Sequence, residues 1–414
     1  MHILMIHQAF VSPAEAGGTR HYEFASHLVK QGHSVSIVAS NLSYLSGKQV
    51  AFRKGIVSEQ KLDSIRVLRA YTYASLHRSF IWRIVSFLSF MLTSVVAAFQ
   101  AGRVDVVMGT SPPIFQAVSA WFVAKVRRRP FLLEIRDLWP EFAIDMGVLT
   151  NPALVSASRW LERFLYSQCD HLLVNSPAYR TYLLDRGVPP EKISFIPNGV
   201  DCAMFHPEEK GEGVRRELHL DGKFVVTYAG ALGPANDIMT VLRSAELLKS
   251  EEQIHFLFVG DGKDRVLLEQ AAMEMGLQNV TFTGAQPKQR MASFLAASDA
   301  CLAVLKNIPM FSTTYPNKVF DYMAAGRPTL LAIDGVIRDV IEASCGGLFV
   351  PPGNPALLAD AVRDLSGNPE RSGKMGLQAR AFVQQNFDRK LQAQAFLNLV
   401  VNISAGFASC SNKN

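Results

Sequence analysis

Two stretches of the chain share one pattern of apolar and polar positions. Ile3–Ile6 is an unbroken apolar run, followed by a loop around Gly17-Gly18, by Tyr22, Ala25, Leu28 and Val29 at helical spacing, and by a second apolar run at Val35–Ala39. The pattern returns at Phe224. Val225–Ala229 predicts a strand, Gly230–Gly233 a loop, Ile238–Leu248 a helix and His255–Val259 the next strand. Strands that alternate with helices on this scale give parallel sheets covered on both faces, so two doubly wound α/β domains are expected. Further strands are expected at Val104–Met108, Phe131–Ile135, His171–Asn175, Ile193–Pro197, Val280–Thr283, Ala300–Leu305 and Thr329–Ile333. Pro197-Asn-Gly-Val-Asp201 breaks the periodicity between the halves. The expected domains are therefore residues 1–198 and 199–385, with a last helix at about 386–402 able to pack back on the first.

Ile84–Gly102 carries no charge between Arg83 and Arg103, close to the length of a membrane span. Ser86, Ser89, Thr93, Ala97 and Gln100 give it a small, weakly polar face opposite Leu88, Leu92, Val95, Val96 and Phe99. A domain helix, a membrane-surface contact that uses Arg78, Trp82 and Arg83, and a true span are three readings of this segment.

The chain has 414 residues, 49% of them hydrophobic and 19% charged, which suits packed domains rather than extended disorder. Its charge is uneven: residues 1–200 hold 21 Lys and Arg against 13 Asp and Glu, whereas 201–414 hold 21 against 23. Such an excess in the first half suggests an anionic partner there. Five scattered cysteines without a C-x-x-C pair point to neither zinc nor a disulfide framework and suit a reducing cytoplasm. Met1–Phe10 lacks the basic start and cleavage site of a secretory signal, so export is not indicated.

Gly17-Gly18 stands between the first strand and first helix, where open α/β sheets bind ligands and a helix N-terminus presents N–H groups to an anion. The pair matches neither G-x-G-x-x-G nor a Walker A loop, which removes support for a dinucleotide oxidoreductase or a P-loop ATPase. In the second half, Gly230, Gly260 and Gly284 each follow or end a predicted strand. Tyr315–Pro328 then reads as a helix start, an amphipathic turn and a glycine stop. Asn317 and Lys318 at that start can meet phosphate, and Asp321, one turn on, can accept from two ribose hydroxyls. Together these are the parts needed to hold a nucleoside diphosphate.

On Glu134-Ile-Arg-Asp-Leu-Trp-Pro-Glu141, Pro197–Asp201, Tyr228–Gly233, Val259–Gly262 and Pro316–Gly326, the chain resembles the retaining glycosyltransferases of family 4. The likeness runs to about residue 400 and is strongest to the bacterial O-antigen and capsule branch that includes N-acetylfucosamine transferases. It implies the GT-B fold, with two Rossmann-like domains facing a central cleft, and a nucleotide sugar held mainly by the second domain. The implied donor is a UDP-sugar, its sugar an N-acetylated deoxyhexosamine such as N-acetylfucosamine. The implied acceptor is a lipid-pyrophosphate-linked saccharide at an anionic membrane surface, with the protein peripheral on the inner face of the cytoplasmic membrane. No metal, no other cofactor and no nucleic-acid partner is expected.

Three departures matter. Thr313 stands where the family carries the first of two glutamates, Asp321 matching the second. Pro234–Asp237 lacks the Arg and Lys that usually neutralise the diphosphate, which leaves Lys318, with Arg20 or Arg136 as a second cation. Thr110 replaces a histidine, so Asp137, with Arg136, is the catalytic candidate; a helix cap is the structural alternative for Asp137. Two other functions remain open: a non-hydrolysing sugar-nucleotide epimerase of the same fold, and a GT-B scaffold without catalysis.

Overall fold

The computed structural model describes residues 1–13, 15, 17–43, 49, 50, 55–74 and 80–411. Arg78, expected at a membrane contact, lies outside them. Two compact units divide the chain: Met1–Pro197 together with the chain from Lys390 onward, and Asn198–Arg389.

The N-terminal unit contains β1 (His2–Ile6), α1 (Arg20–Lys30), β2 (Ser34–Ser40), β3 (Val57–Leu62), β4 (Ile65–Ala70), α2 (Phe80–Phe99), β5 (Val106–Ser111) and α3 (Ile114–Arg127). There follow β6 (Phe131–Ile135), α4 (Glu141–Asp145), α5 (Pro152–Gln168), β7 (His171–Val174), α6 (Pro177–Leu184) and β8 (Ile193–Phe195). Among the described residues its sheet runs β3-β4-β2-β1-β5-β6-β7-β8. Strand order reverses between β1 and β5, which opens a crevice at their carboxyl ends. Every residue of β5 and β6 is buried, as expected of strands covered on both faces.

The parallel sheet expected from the sequence is parallel except at one edge, where β3 pairs antiparallel with β4. The two residues between them, Asp63 and Ser64, have φ of 48° and 69°, the type I′ geometry that suits the twist of a two-residue hairpin. The polar run Ser58–Lys61 hid this edge strand, because half of its positions face water and no apolar run marks it.

The C-terminal unit contains α7 (Glu212–Glu217), β9 (Phe224–Ala229), α8 (Ile238–Leu247), β10 (Ile254–Val259), α9 (Arg265–Glu274), β11 (Val280–Gly284), α10 (Lys288–Ala296) and β12 (Ala300–Val304). It continues with α11 (Asn317–Ala324), β13 (Thr329–Ala332), α12 (Val336–Ser344), β14 (Gly347–Phe349), α13 (Pro355–Gly367) and α14 (Pro369–Asn386). Its described sheet runs β11-β10-β9-β12-β13-β14, all parallel, and reverses between β9 and β12. Separate apolar clusters cover its two faces, one around Val319, Phe320 and Ile337, the other around Ile238, Phe256 and Leu358.

The final helix, α15 (Arg389–Ser411), leaves the C-terminal unit and inserts Ala393, Phe396, Leu397 and Val400 into the core of the N-terminal unit. The Phe396 ring stacks on Phe24 of α1, centroids 4.6 Å apart.

Candidate functional site

In the C-terminal unit the candidate residues gather at the reversal between β9 and β12. Helix α11 begins after Pro316 and is held against β9 by Tyr322, whose hydroxyl accepts from the Ala229 amide at 2.9 Å and donates to the Ala229 carbonyl at 3.2 Å. One turn before Tyr322, that anchorage sets Lys318 beside the strand. Its Nζ donates to the Tyr228 hydroxyl at 2.6 Å and to Asn236 Oδ1 at 3.3 Å, and lies 4.0 Å from the centre of the Tyr228 ring. Tyr228 is itself oriented by donating to the Ala231 carbonyl at 2.8 Å.

Among the described residues no carboxylate pairs with Lys318, and burial pushes its ammonium down to about 7. This is a cation held by a phenol and an amide, a setting that an anion would complete. Gly230 is required here: its φ is 153°, and a Cβ would come within 2.9 Å of the lysine Nζ. Gly260 lies against it, with its missing Cβ only 1.9 Å from the Gly230 carbonyl oxygen, so the loops after β9 and β10 pack backbone to backbone. Gly284 ends β11, where its carbonyl accepts from the Gly260 amide at 3.0 Å. Asn317 opens α11 and Asp321 sits one turn on, both partly buried. The Thr313 hydroxyl donates to the Met310 carbonyl at 2.6 Å.

In the N-terminal unit a polar cluster occupies the carboxyl edge of β1, β5 and β6. His7 Nδ1 lies 2.9 Å from Thr110 Oγ1, which also accepts from Gln116 Nε2 at 2.7 Å. An imidazole therefore stands beside position 110, supplied by the residue that follows β1 rather than by β5. The His7 ring is 4.1 Å from that of His21, whose Nε2 is 2.6 Å from Glu134 Oε2. Burial lowers both imidazoles, His7 well below its ordinary value. Burial alone would raise the Glu134 carboxyl, but His21, Arg20 and Arg136 together hold it well below the usual carboxylate range.

Arg20, expected as a cation for the diphosphate, has a different role. It is 2% exposed, and its guanidinium donates to Glu134 Oε1 at 2.9 Å and to the carbonyls of Pro197 and Ile196 at 2.6 and 2.8 Å. A side chain so enclosed secures the end of the unit against its sheet. Arg136 is partly exposed, and its Nε is buried without a hydrogen-bond partner among the described residues. Asp137 accepts from the Tyr179 hydroxyl; burial pushes its carboxyl up to about 6, against the lowering effects of Arg136 and that hydrogen bond. It does not cap the following helix, since α4 starts after Pro140 with no side-chain cap. Gly17 and Gly18 are exposed just before α1, Gly17 with φ of 138°.

The structure thus joins Lys318, Gly230 and Gly260 in one unit and Arg136, Asp137 and Glu134 in the other. Sequence reasoning missed Tyr228, Tyr322, Asn236, His7, His21 and Tyr179. Tyr228 and Tyr322 were in view as members of motifs, but their polar ends meet groups about ninety positions away, which spacing cannot disclose.

Residues 16–199 match the glycosyl transferase 4-like domain and residues 223–368 match the glycosyl transferases group 1 domain. A colanic acid biosynthesis glycosyl transferase, WcaI, of Escherichia coli K12 is 22% identical over 387 residues, 91% of this chain and 94% of that protein. The fold is similar to that of sucrose-phosphate synthase from Thermosynechococcus elongatus, with TM-score 0.77, 19% identity and coverage of 98% and 99% of the two chains. It is also similar to Anabaena HepE in complex with UDP and glucose, with TM-score 0.72, 17% identity and coverage of 96% and 99%.

Proposed function

Because this chain belongs to the GT-B glycosyltransferases of family 4 type, we propose that it moves a sugar from a UDP-sugar to a lipid-pyrophosphate-linked saccharide in the synthesis of an envelope polysaccharide. The donor sugar in this reading is an N-acetylated deoxyhexosamine such as N-acetylfucosamine. The protein works as a peripheral enzyme on the inner face of the cytoplasmic membrane. The observation that carries the proposal is Lys318, a cation with no carboxylate partner among the described residues, beneath Gly230 and at the start of α11.

In this reading Lys318, Asn317 and the first N–H groups of α11 receive the diphosphate, and Asp321 accepts from the ribose hydroxyls. Uridine rather than another base is supported by the complex of Anabaena HepE with UDP and glucose, and the envelope role by the similarity to WcaI of colanic acid biosynthesis. Arg136 and Asp137 act on the acceptor. The bond between the anomeric carbon and the phosphate oxygen breaks, and a new one forms to the acceptor oxygen on the same face. The acceptor proton passes to the leaving phosphate. Lys318 offsets charge on that phosphate, so the step requires no metal.

Thermal-shift screening with UDP, GDP and ADP, followed by incubation with labelled UDP-sugars and lipid-linked acceptor, tests this reading. Stabilisation by UDP and acceptor-dependent transfer are expected. Epimerisation without acceptor, or no turnover of any sugar nucleotide, would replace it with one of the two other readings.

A further inference from the structure

Helix α3 packs against both α2 and α5, and each of these three helices carries large apolar side chains on its outward side. On α2, Val85, Leu88, Leu92, Val96 and Phe99 recur every three or four residues, so they fall on one stripe. They are exposed by 36 to 66%, whereas Phe90, Ser94, Ala97 and Ala98 on the opposite side are fully buried in the unit. Phe122 and Val126 continue the apolar surface on α3, and Trp160, 61% exposed, carries it onto α5. Aromatic contacts join α3 to α5: Trp160 stacks on Phe164 with centroids 5.6 Å apart, and Phe164 meets Trp121 edge-on at 5.0 Å. The Arg127 guanidinium lies 5.1 Å from the Phe99 ring and closes the seam between α2 and α3.

The charges on these helices have one sign at the surface. Their basic residues are Arg83, Lys125, Arg127, Arg159 and Arg163, and Arg128 and Arg129 follow directly after α3. Their one acid, Glu162, is buried and accepts from the hydroxyls of Tyr166 and Tyr182. Arg159 reaches Glu141 of α4.

We propose that the N-terminal unit docks on an anionic lipid bilayer through the outward faces of α2, α3 and α5. This assigns a surface to the membrane attachment proposed above and rests on that reading. An apolar stripe flanked by cations fits headgroups that carry negative charge above an acyl layer. A second copy of the same face would set cation against cation. Trp82–Phe99 is long and apolar enough to cross a membrane, but one of its sides is committed to the sheet and α3, so the helix lies in the interface rather than through it.

The experiment is flotation of the full chain with phosphatidylcholine vesicles, with and without phosphatidylglycerol, at low and high salt. It compares the wild type with Leu88→Glu/Leu92→Glu, Lys125→Glu/Arg128→Glu and the milder Trp160→Ala. Thermal melting and calorimetric UDP affinity serve as controls for folding and for the nucleotide site. The wild type is expected to float only with phosphatidylglycerol vesicles and to be released by salt. Each double variant should lose about tenfold or more of the bound fraction while keeping its melting temperature and UDP affinity. Trp160→Ala should lose less. Flotation unchanged in the variants, equal flotation with neutral vesicles, or none in the wild type overturns the proposal, as does a dimer that Leu88→Glu/Leu92→Glu dissociates. A wild type that floats as described without binding UDP would sink the nucleotide reading alone.

Discussion

Lys318 is polarised by what surrounds it: a phenol, an amide and a glycine that leaves room for its ammonium. Replacing it with alanine should weaken UDP binding by about ten- to a hundredfold, the value of a charge-assisted contact of roughly 1.5 to 3 kcal/mol. Calorimetry checks this, and unchanged affinity in both Lys318→Ala and Asp321→Ala would move the nucleotide elsewhere. Burial lowers the lysine to about 7, so the empty protein holds progressively less charge there as pH rises through that value. A bound diphosphate favours the charged form and must draw in a proton. UDP affinity should therefore fall as pH rises above about 7, and the binding heat should depend on the buffer's ionisation enthalpy. Lys318→Met should show neither effect. Asp137 behaves in the opposite sense, because burial raises a carboxyl to about 6 and leaves it protonated below that pH. If its carboxylate serves the acceptor, turnover should decline as pH drops through about 6, and Asp137→Asn should bind UDP normally with little transfer at any pH. Wild-type turnover in a folded Asp137→Asn sample ends that assignment. Lys318 and Asp137 were singled out as candidates from the sequence because each sits in a helix-start or strand-end motif. Arg20 was misread for a related reason: its position resembled a phosphate cation, but the carboxylate it pairs with, Glu134, is 114 residues away.

At the scale of elements, helix α11 and the β3–β4 hairpin show what packing adds to propensity. Tyr322 ties α11 to β9 through both the amide and the carbonyl of Ala229. Tyr322→Phe strands a buried amide, which costs about 1 to 3 kcal/mol, and should also weaken UDP binding by loosening Lys318. Denaturant melts and calorimetry on the same sample separate the two effects; a stable variant with full affinity would remove Tyr322 from the positioning of the lysine. In the hairpin, Ser64 adopts a left-handed conformation that disfavours residues with a Cβ by roughly 1 to 2 kcal/mol. Ser64→Gly relieves that strain at the expense of about 0.4 to 1 kcal/mol in unfolded-chain entropy, so a rise of about one to three degrees in melting temperature is expected. A fall would mean that the serine hydroxyl contributes more than its backbone angle suggests. The buried strands were readable because continuous apolar runs such as Phe131–Ile135 have few other uses. The hairpin was not, since an edge strand with a wet side and a two-residue turn lacking glycine gives periodicity little to detect.

Across the whole molecule, the two doubly wound sheets follow from repeated strand, loop and helix patterns. A last helix at about 386–402 able to pack back on the first unit was expected from the sequence; which core side chains receive its apolar positions is a tertiary fact. Phe396 has no exposed surface and stacks on Phe24. Phe396→Ala should destabilise the N-terminal unit by about 3 to 5 kcal/mol and leave UDP-dependent stabilisation of the other unit in place. Proteolysis mapped by mass spectrometry distinguishes the units, and equal loss of protection in both would show that they unfold together. The chain leaves the N-terminal unit at Pro197 and re-enters it at Lys390. During synthesis, then, the sheet of the N-terminal unit is laid down first, but the helix that covers one of its faces follows only after the inserted unit. At about 5 to 20 residues per second, the ribosome spends roughly 10 to 40 seconds making the inserted unit while the face that will take Phe396 and Val400 stays bare. Phe24, Leu28 and their neighbours must be shielded through that interval, and the nascent chain should recruit a chaperone until α15 emerges.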